Sequence, residues 1–151
     1  IPMIKQGFKP DSISTDLHTG SMNSSTKDIL NVASKFMAIG MSLQEVVAGM
    51  TAAPARQIQR EDLGNLSPGS VADIAVISVQ KGRFGYIDML NTRVDATQRL
   101  VAELTIKDGK IVYDLNGLES LAWIAPPGDV KLDSRWTSFP RQDPALGVTA
   151  R

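Results

Sequence analysis

The stretch RLVAELTIKDGKIVYDL, residues 99–115, restricts the fold more than any other part of the chain. Apolar residues occupy alternate positions before the Asp108-Gly109 dipeptide, and a second β-favouring run, residues 111–115, follows it. Alternation with a period of two is typical of a strand with one covered face. An Asp-Gly pair between two such runs indicates a two-residue hairpin turn. The sequence therefore predicts an antiparallel hairpin here.

Upstream of this hairpin the pattern predicts one short strand followed by helices. Residues 12–16 favour a strand, because Ile13 and Thr15 are β-branched, and LHTGSMNSS after them is predicted to be a loop. An apolar stripe at helical spacing predicts a helix over residues 26–39, capped by Ser25 or Thr26 and ended by Gly40. A short strand with no parallel strand nearby needs pairing partners from outside this segment.

Two more helices and a further strand complete the predicted order. Ser42 and Glu45 have the spacing of a capping box, and Thr51 is placed to cap a third helix with Pro54 in its first turn. Residues 72–79 are almost continuously apolar, which predicts a strand covered on both faces. The SPGS stretch before it favours a turn. Asp73, at the strand start, is interpreted as a structural carboxylate. The proline-rich end of the chain, residues 119–151, is predicted to be an irregular arm.

Composition excludes several classes of protein. The chain has 151 residues, is 42% hydrophobic and balances 16 basic against 16 acidic residues, so it can bury a core but has no charge surplus for nucleic acid. No run reaches the ~18 apolar residues of a membrane span. We therefore expect neither a nucleic-acid nor a membrane partner. The absence of cysteine fits a reducing compartment, and we expect a cytoplasmic protein.

One histidine and no cysteine also limit the chemistry. A zinc site takes three or four His, Cys or carboxylate ligands, and a Ser-His-Asp triad would have to use His18. The chain alone is therefore not expected to build a complete metal site.

Three motifs give the chain a family resemblance. They are the run ending in Ser-Thr-Asp with its Gly/Ser-rich loop (residues 13–23), the T-x-x-P-A-R helix start (residues 51–56), and G-x-L-x-P-G-x-x-A-D-I-x-V (residues 64–76). Together they resemble the C-terminal third of the amidohydrolase superfamily, and most closely its deacetylase branch, which is often labelled dihydroorotase-like.

The resemblance implies an α/β fold: the last strand and helices of a (β/α)₈ TIM barrel (residues 1–63), followed by part of a small β-sandwich (residues 64–118). It also implies one or two divalent metals, zinc in our interpretation, held by a His-x-His pair and other residues that this chain lacks. A complete barrel needs about 250 residues. We therefore expect a fragment, a truncated reading frame or the ordered remainder of a longer protein, whose missing N-terminal barrel portion is its first partner.

The resemblance also assigns the site residues. Asp16 corresponds to the aspartate that ends the eighth strand, contacts the metal and carries the proton. A turn or capping aspartate is the alternative interpretation for it. His18, Gly20, Met22 and Asn23 lie in the loop beyond and are candidate substrate-binding residues, because specificity in barrels resides in such loops. An exposed histidine and a glycine that permits a bend are the corresponding structural interpretations.

Two hypotheses follow. In the first, the chain is part of a metal-dependent hydrolase that cleaves an amide or ester bond of a small substrate, as a deacetylase does, with a cyclic-amide hydrolase of dihydroorotase or hydantoinase type as the nearest rival. In the second, it is a non-catalytic remnant or a structural and oligomerisation module. In the full-length form we expect a homo-oligomer. Unpartnered apolar stripes and a strand edge predict that the isolated chain associates.

Overall fold

The computed structural model describes residues 2–120. They form a mixed α/β structure in which five helices precede a three-stranded antiparallel sheet with the order β1-β2-β3. The elements are α1 (Pro2–Lys5), α2 (Thr19–Met22), α3 (Ile29–Ala38), α4 (Leu43–Met50), α5 (Ala52–Gln57), β1 (Ile74–Ile87), β2 (Arg93–Lys107) and β3 (Lys110–Asp114). Within this range no helix has the length and apolar character needed to cross a bilayer.

The predicted β2–β3 hairpin is confirmed. Asp108 and Gly109 both have positive φ angles, 48° and 74°, which is the geometry of a tight turn whose twist matches that of the strands. The Asp73 carboxylate accepts a hydrogen bond from the Asp108 N–H at 2.8 Å, so its predicted structural role is confirmed too. In SPGS, Gly69 has a φ of 91° and the Ser70 N–H donates to the Ser67 carbonyl, as the predicted turn requires.

The strand predicted for residues 72–79 is longer and less covered than expected. It runs from Ile74 to Ile87 and pairs with β2 along most of that length. The prediction that both faces are covered is wrong for the described residues, since Val76 is 44% exposed. The reason is that the sheet is antiparallel and α3 packs against β2, so the described helices cover one face.

The helices begin and end largely where the sequence indicates. Gly40, with a φ of 116°, ends α3, and the capping box of Ser42 and Glu45 begins α4. The predicted first cap of α3 is wrong, because the Asp28 carboxylate accepts from the Asn31 N–H at 2.7 Å and begins the helix later. Thr51 precedes α5 as expected, but its hydroxyl donates to the Val47 carbonyl of α4 instead of capping.

One core joins the helices to the sheet. Its buried apolar members come from the N-terminal segment, α3, the α3–α4 turn, α4 and β2: Ile13, Ala33, Met41, Val46 and Leu100. A polar contact crosses the same core, since the buried Ser34 hydroxyl of α3 accepts from the Leu100 N–H at 2.9 Å. This bond satisfies a backbone donor on β2 and sets the position of α3 along the strand.

Two predictions near the N-terminus are corrected. Residues 12–16 are not a strand, because no strand among the described residues lies beside them, and the Ile13 N–H bonds instead to the Gly49 carbonyl. The loop predicted after them contains the short helix α2. The described residues close no barrel, since their sheet has three strands. Apart from its first two residues, the predicted arm 119–151 lies outside the described residues.

Candidate functional site

The carboxylate predicted to carry the chemistry, Asp16, lies at the end of the segment that the Ile13–Gly49 bond holds against α4. It is exposed, and its φ of 45° is in the left-handed region. Asp is among the residues that tolerate this region best. A non-glycine residue there still costs about 1–3 kcal/mol, and such residues cluster at functional sites.

The segment before Asp16 is anchored by a close approach to α4. The Ile13 side chain is buried and lies against Gly49, where a Cβ atom would sit only 3.2 Å from the Ile13 Cδ1. The Ile13 N–H also donates to the Gly49 carbonyl at 2.8 Å. The lack of a side chain at Gly49 therefore lets the segment dock on the helix, three residues before the candidate carboxylate.

His18 has a structural role in this geometry. It is exposed and precedes α2, and its Nδ1 accepts a hydrogen bond from the Gly20 N–H at 3.1 Å. In return, the His18 N–H donates to the Ser21 Oγ at 2.9 Å. A ring that caps a helix in this way leaves its Nε2 side as the part free to meet a ligand.

The other predicted substrate residues are brought together on α2 and just after it. Gly20 is close to the His18 ring, because a Cβ atom there would lie 3.0 Å from the His18 Cε1. Met22 is 47% exposed, and the Asn23 amide donates to the Thr19 carbonyl at 3.1 Å. All of them lie within seven residues after Asp16. Two clefts, of about 430 and 450 Å³, are lined by other residues.

Ser21 is a positioning residue that the sequence interpretation missed. Its hydroxyl lies 3.2 Å from the Asp16 carbonyl oxygen and 3.1 Å from the His18 carbonyl oxygen, and it accepts from the His18 N–H. It therefore ties the backbone of the candidate carboxylate to α2. The His-x-x-Ser spacing, which resembles that of a capping box, is the signal that could have identified it.

Two lysines hold the far end of the loop. The Lys27 ammonium donates to the Met22 carbonyl at 3.2 Å, and the Lys35 ammonium donates to the Ser25 carbonyl. Burial, followed by the charge of Lys27, lowers the pKa of Lys35, while Asp88 acts in the opposite direction. The Lys35 contact thus holds the end of the loop against α3, whereas the Lys27 contact lies within the loop.

The described residues do not by themselves fit a metal ion. Within residues 2–120 no three His, Cys, Asp or Glu side chains are close enough together to hold one. Asp16 contributes a single carboxylate, whereas zinc takes three or four protein ligands.

Comparison with known proteins finds relatives that match part of the chain. A deacetylase of Brucella anthropi is 36% identical over 76 residues, which is 50% of this chain and 19% of that protein. The crystal structure of an adenine deaminase superposes with a TM-score of 0.70 at 26% identity and covers 74% of this chain and 30% of the other. That of a dihydroorotase gives 0.65 at 25% identity over 75% and 31%.

The chain thus spans about a fifth of the deacetylase and under a third of each solved structure. The family model described as Amidohydrolase family matches residues 18–113, which include the loop after Asp16, the helices α3 to α5 and most of the sheet. The resemblance seen in the motifs is therefore confirmed, and the chain belongs to the amidohydrolase family.

Proposed function

We propose that these residues are the C-terminal part of a hydrolase that cleaves an amide or ester bond of a small substrate, with Asp16 as its proton carrier. Residues 1–63 would complete a barrel, and residues 64–118 would contribute to a sandwich domain beside it. One observation carries the proposal: an exposed carboxylate stands in a left-handed conformation at the end of a segment anchored in the core.

This placement suits proton transfer. A carboxylate near the attacking water can take its proton and deliver it to the leaving nitrogen or oxygen, provided that it stays within hydrogen-bond reach of both. The Ile13 anchor on one side and the Ser21 hydroxyl on the other restrict the backbone of Asp16, so its carboxylate is held over a limited range. His18, Gly20, Met22 and Asn23 follow at once and would contact the substrate.

A divalent metal, zinc in our proposal, would lower the pKa of a bound water toward about 7. Asp16 is the one metal ligand that we assign among the described residues. The remaining ligands would therefore come from polypeptide outside residues 2–120. We assign to Asp16 the proton transfer and a metal contact, and to this chain no other metal ligand.

The amide-hydrolysing, deacetylase-like reaction is preferred over its rivals. The Brucella anthropi relative is named a deacetylase, whereas the two solved structures are an adenine deaminase and a dihydroorotase. All three names describe hydrolysis at a carbon–nitrogen bond or at a related acyl bond, so the reaction class is better supported than the substrate. A cyclic-amide hydrolase remains the alternative within the class.

The test uses the complete gene product that contains these residues. Acetate release from N-acetylated amino acids is compared with ammonia release from adenine and with opening of dihydroorotate. The Asp16→Asn variant should lower kcat at least about 1000-fold, because proton transfer is lost while the side-chain shape is kept. Asp11→Asn, five positions earlier and also exposed, is the matched control and should change kcat less than about twofold. Activity of Asp16→Asn within tenfold of the unmodified protein would disprove the proton-carrier role.

A structural or oligomerisation module is the second candidate, favoured by the lack of a metal-binding cluster among residues 2–120. Large apolar side chains are also exposed there, including Phe8, Leu66 and Leu118 at 62%, 78% and 68%. Under either hypothesis we expect a cytoplasmic homo-oligomer. A complete gene product that binds no metal and hydrolyses none of these substrates would favour this second candidate.

A further inference from the structure

A second group of polar side chains lies on the β1–β2 hairpin, away from the Asp16 loop. The pairing of these strands is interrupted between Lys81 and Phe84. Gly82 and Arg83 on β1 face the single residue Thr97 on β2, which is a β-bulge. Bulges bend a strand and re-aim the side chain at the inserted position. Here the bulge brings Arg83 to the wall of a cleft.

A second guanidinium, that of Arg93, lines the same cleft for a different structural reason. The Arg93 side chain lies across Gly85 of the neighbouring strand, where a Cβ atom would be 2.6 Å from its Nε. The Arg93 Nη2 also contacts the Asp95 Oδ1 at 2.6 Å. The bare backbone at Gly85 therefore gives the Arg93 side chain room to lie across the strand, while the exposed Asp95 carboxylate occupies part of its fork.

The cleft has a volume of about 430 Å³ and lies between the hairpin and the end of α3. Its walls combine the two arginines with neutral hydrogen-bonding side chains, an aromatic ring and one acid: Arg83, Arg93, Thr97, Gln98, Phe84 and Asp95. The Phe84 ring is itself backed by Arg99, whose Cζ lies 5.0 Å from the ring centroid. Over residues 80–99 there are four basic and two acidic side chains, in a chain with no net charge.

We propose that this cleft binds a small ligand through a phosphate group. A guanidinium offers a planar fork of donors that matches phosphate oxygens, and two of them offset the double negative charge. Thr97 and Gln98 add neutral donors. Asp95 opposes the ligand, both because it is negative and because it occupies part of the Arg93 fork. The proposed site is separate from the Asp16 loop and does not depend on the hydrolase activity.

The test is a titration of the complete gene product that contains these residues with inorganic phosphate, followed through backbone amide chemical shifts. Saturable shifts should be confined to the bulge and the facing strand, residues 82–85 and 93–98. Arg83→Gln and Arg93→Gln should each weaken binding about tenfold, the loss expected for a charge-assisted hydrogen bond. Raising the salt concentration from about 0.1 M to about 1 M should weaken it further.

Two further variants separate a built site from general charge attraction. Asp95→Asn should strengthen binding about threefold, because it removes the competing carboxylate. Gly85→Ala keeps every charge but displaces the Arg93 side chain, and it should weaken binding nearly as much as Arg93→Gln does.

Arg60→Gln is the matched control, because Arg60 is also paired with an aspartate, Asp62, but does not line the cleft. It should leave binding unchanged. The proposal is overturned if no saturable shifts occur, if Arg60→Gln weakens binding as much as Arg83→Gln, or if Asp95→Asn weakens it. The Asp95→Asn substitution should not disturb folding. Its effect on phosphate binding therefore tests the proposal even if an arginine variant does not fold.

Discussion

The β1–β2 hairpin and the loop that carries Asp16 are held by different kinds of contact. The hairpin has a ladder of backbone hydrogen bonds along most of two long strands, interrupted at two register shifts, and Ser34 and Leu100 join it to α3. The loop, residues 11–28, has local caps on an exposed backbone and the docking of Ile13 on α4. Hydrogen bonds between the two strands hold the hairpin in its conformation. A loop with few hydrogen bonds of its own depends instead on contacts with neighbouring elements. The candidate chemistry lies on the second kind of structure.

The first way to challenge this comparison is to remove the loop's anchor. Ile13→Ala should lower the free energy of unfolding by about 3 kcal/mol, because a buried aliphatic side chain leaves a cavity in the shared core. Urea denaturation of the chain measures the loss. Ile87→Ala, on the hairpin and 37% exposed, is the control and should cost clearly less. Equal losses would mean that the loop is not docked on the core as described.

A second test acts on the contact between α3 and the sheet. Ser34→Ala should lower the free energy of unfolding by about 2 kcal/mol, because it leaves the buried Leu100 N–H without its acceptor. Ser24→Ala, in the exposed part of the loop, should change it by less than about 0.5 kcal/mol. Amide exchange at Leu100 should quicken in Ser34→Ala, and an unchanged exchange rate would contradict the assigned bond.

Two helix caps allow a matched comparison of the Asp16 loop with a helix of the core. Ser42→Ala removes the cap of α4 and should cost about 1 kcal/mol. His18→Ala removes the cap of the four-residue helix α2 and should cost less than about 0.5 kcal/mol, since that helix buries no residue. Thermal unfolding of both variants measures the difference. A larger loss for His18→Ala would show that α2 supports the fold more than its exposure indicates.

The smallest expected effect depends on pH. The Lys9 ammonium, followed by the backbone N–H and hydroxyl of Ser42, lowers the pKa of Glu45 from 4.5 to about 2. A carboxylate whose pKa is lower in the folded state stabilises that state above the unfolded pKa. This contribution is lost as the pH falls from about 4.5 to about 2.

The measurement is Tm as a function of pH for the unmodified chain and for Glu45→Gln. The unmodified chain should have the higher Tm at neutral pH, and the difference should shrink across that window. Glu61→Gln, which removes another exposed carboxylate, is the control for the loss of one negative charge. A difference that stays constant down to pH 2 would rule out the stabilising contact.

The success of each sequence prediction depended on how local its determinants are. The Asp108-Gly109 turn and the Ser42-Glu45 box are set by residues next to each other in the chain, and both were predicted correctly. The strand at residues 12–16 was wrong, because a strand exists only where another strand pairs with it. The first cap of α3 was wrong by a few residues, because several capping side chains occur in succession and Asp28 is the one that bonds.

The candidate site divides in the same way. Asp16 and the loop after it were assigned from a motif, and their role stays a prediction, since the family match begins at residue 18, after Asp16. The left-handed backbone at Asp16 and the close contact of Ile13 with Gly49 were not predictable, because one is a backbone angle and the other joins residues that are distant in sequence. The Ser21 contacts were missed although the His-x-x-Ser spacing is a local signal for them. Arg83 and Arg93 line one cleft because of the β-bulge and because the Arg93 side chain lies across Gly85. Both features depend on strand register, which was not predictable either.

By itself, therefore, the sequence determined the turns, the α4 cap, the order of helices before strands and the family. The tertiary structure decided where the Asp16 segment docks, which face of the sheet is covered and which distant side chains meet. The physical reason is the separation in sequence between the residues that interact. Turns and caps are set by hydrogen bonds between near neighbours in the chain. Docking, burial and register depend on contacts such as Ile13 with Gly49 and Ser34 with Leu100, which form only once the chain has folded.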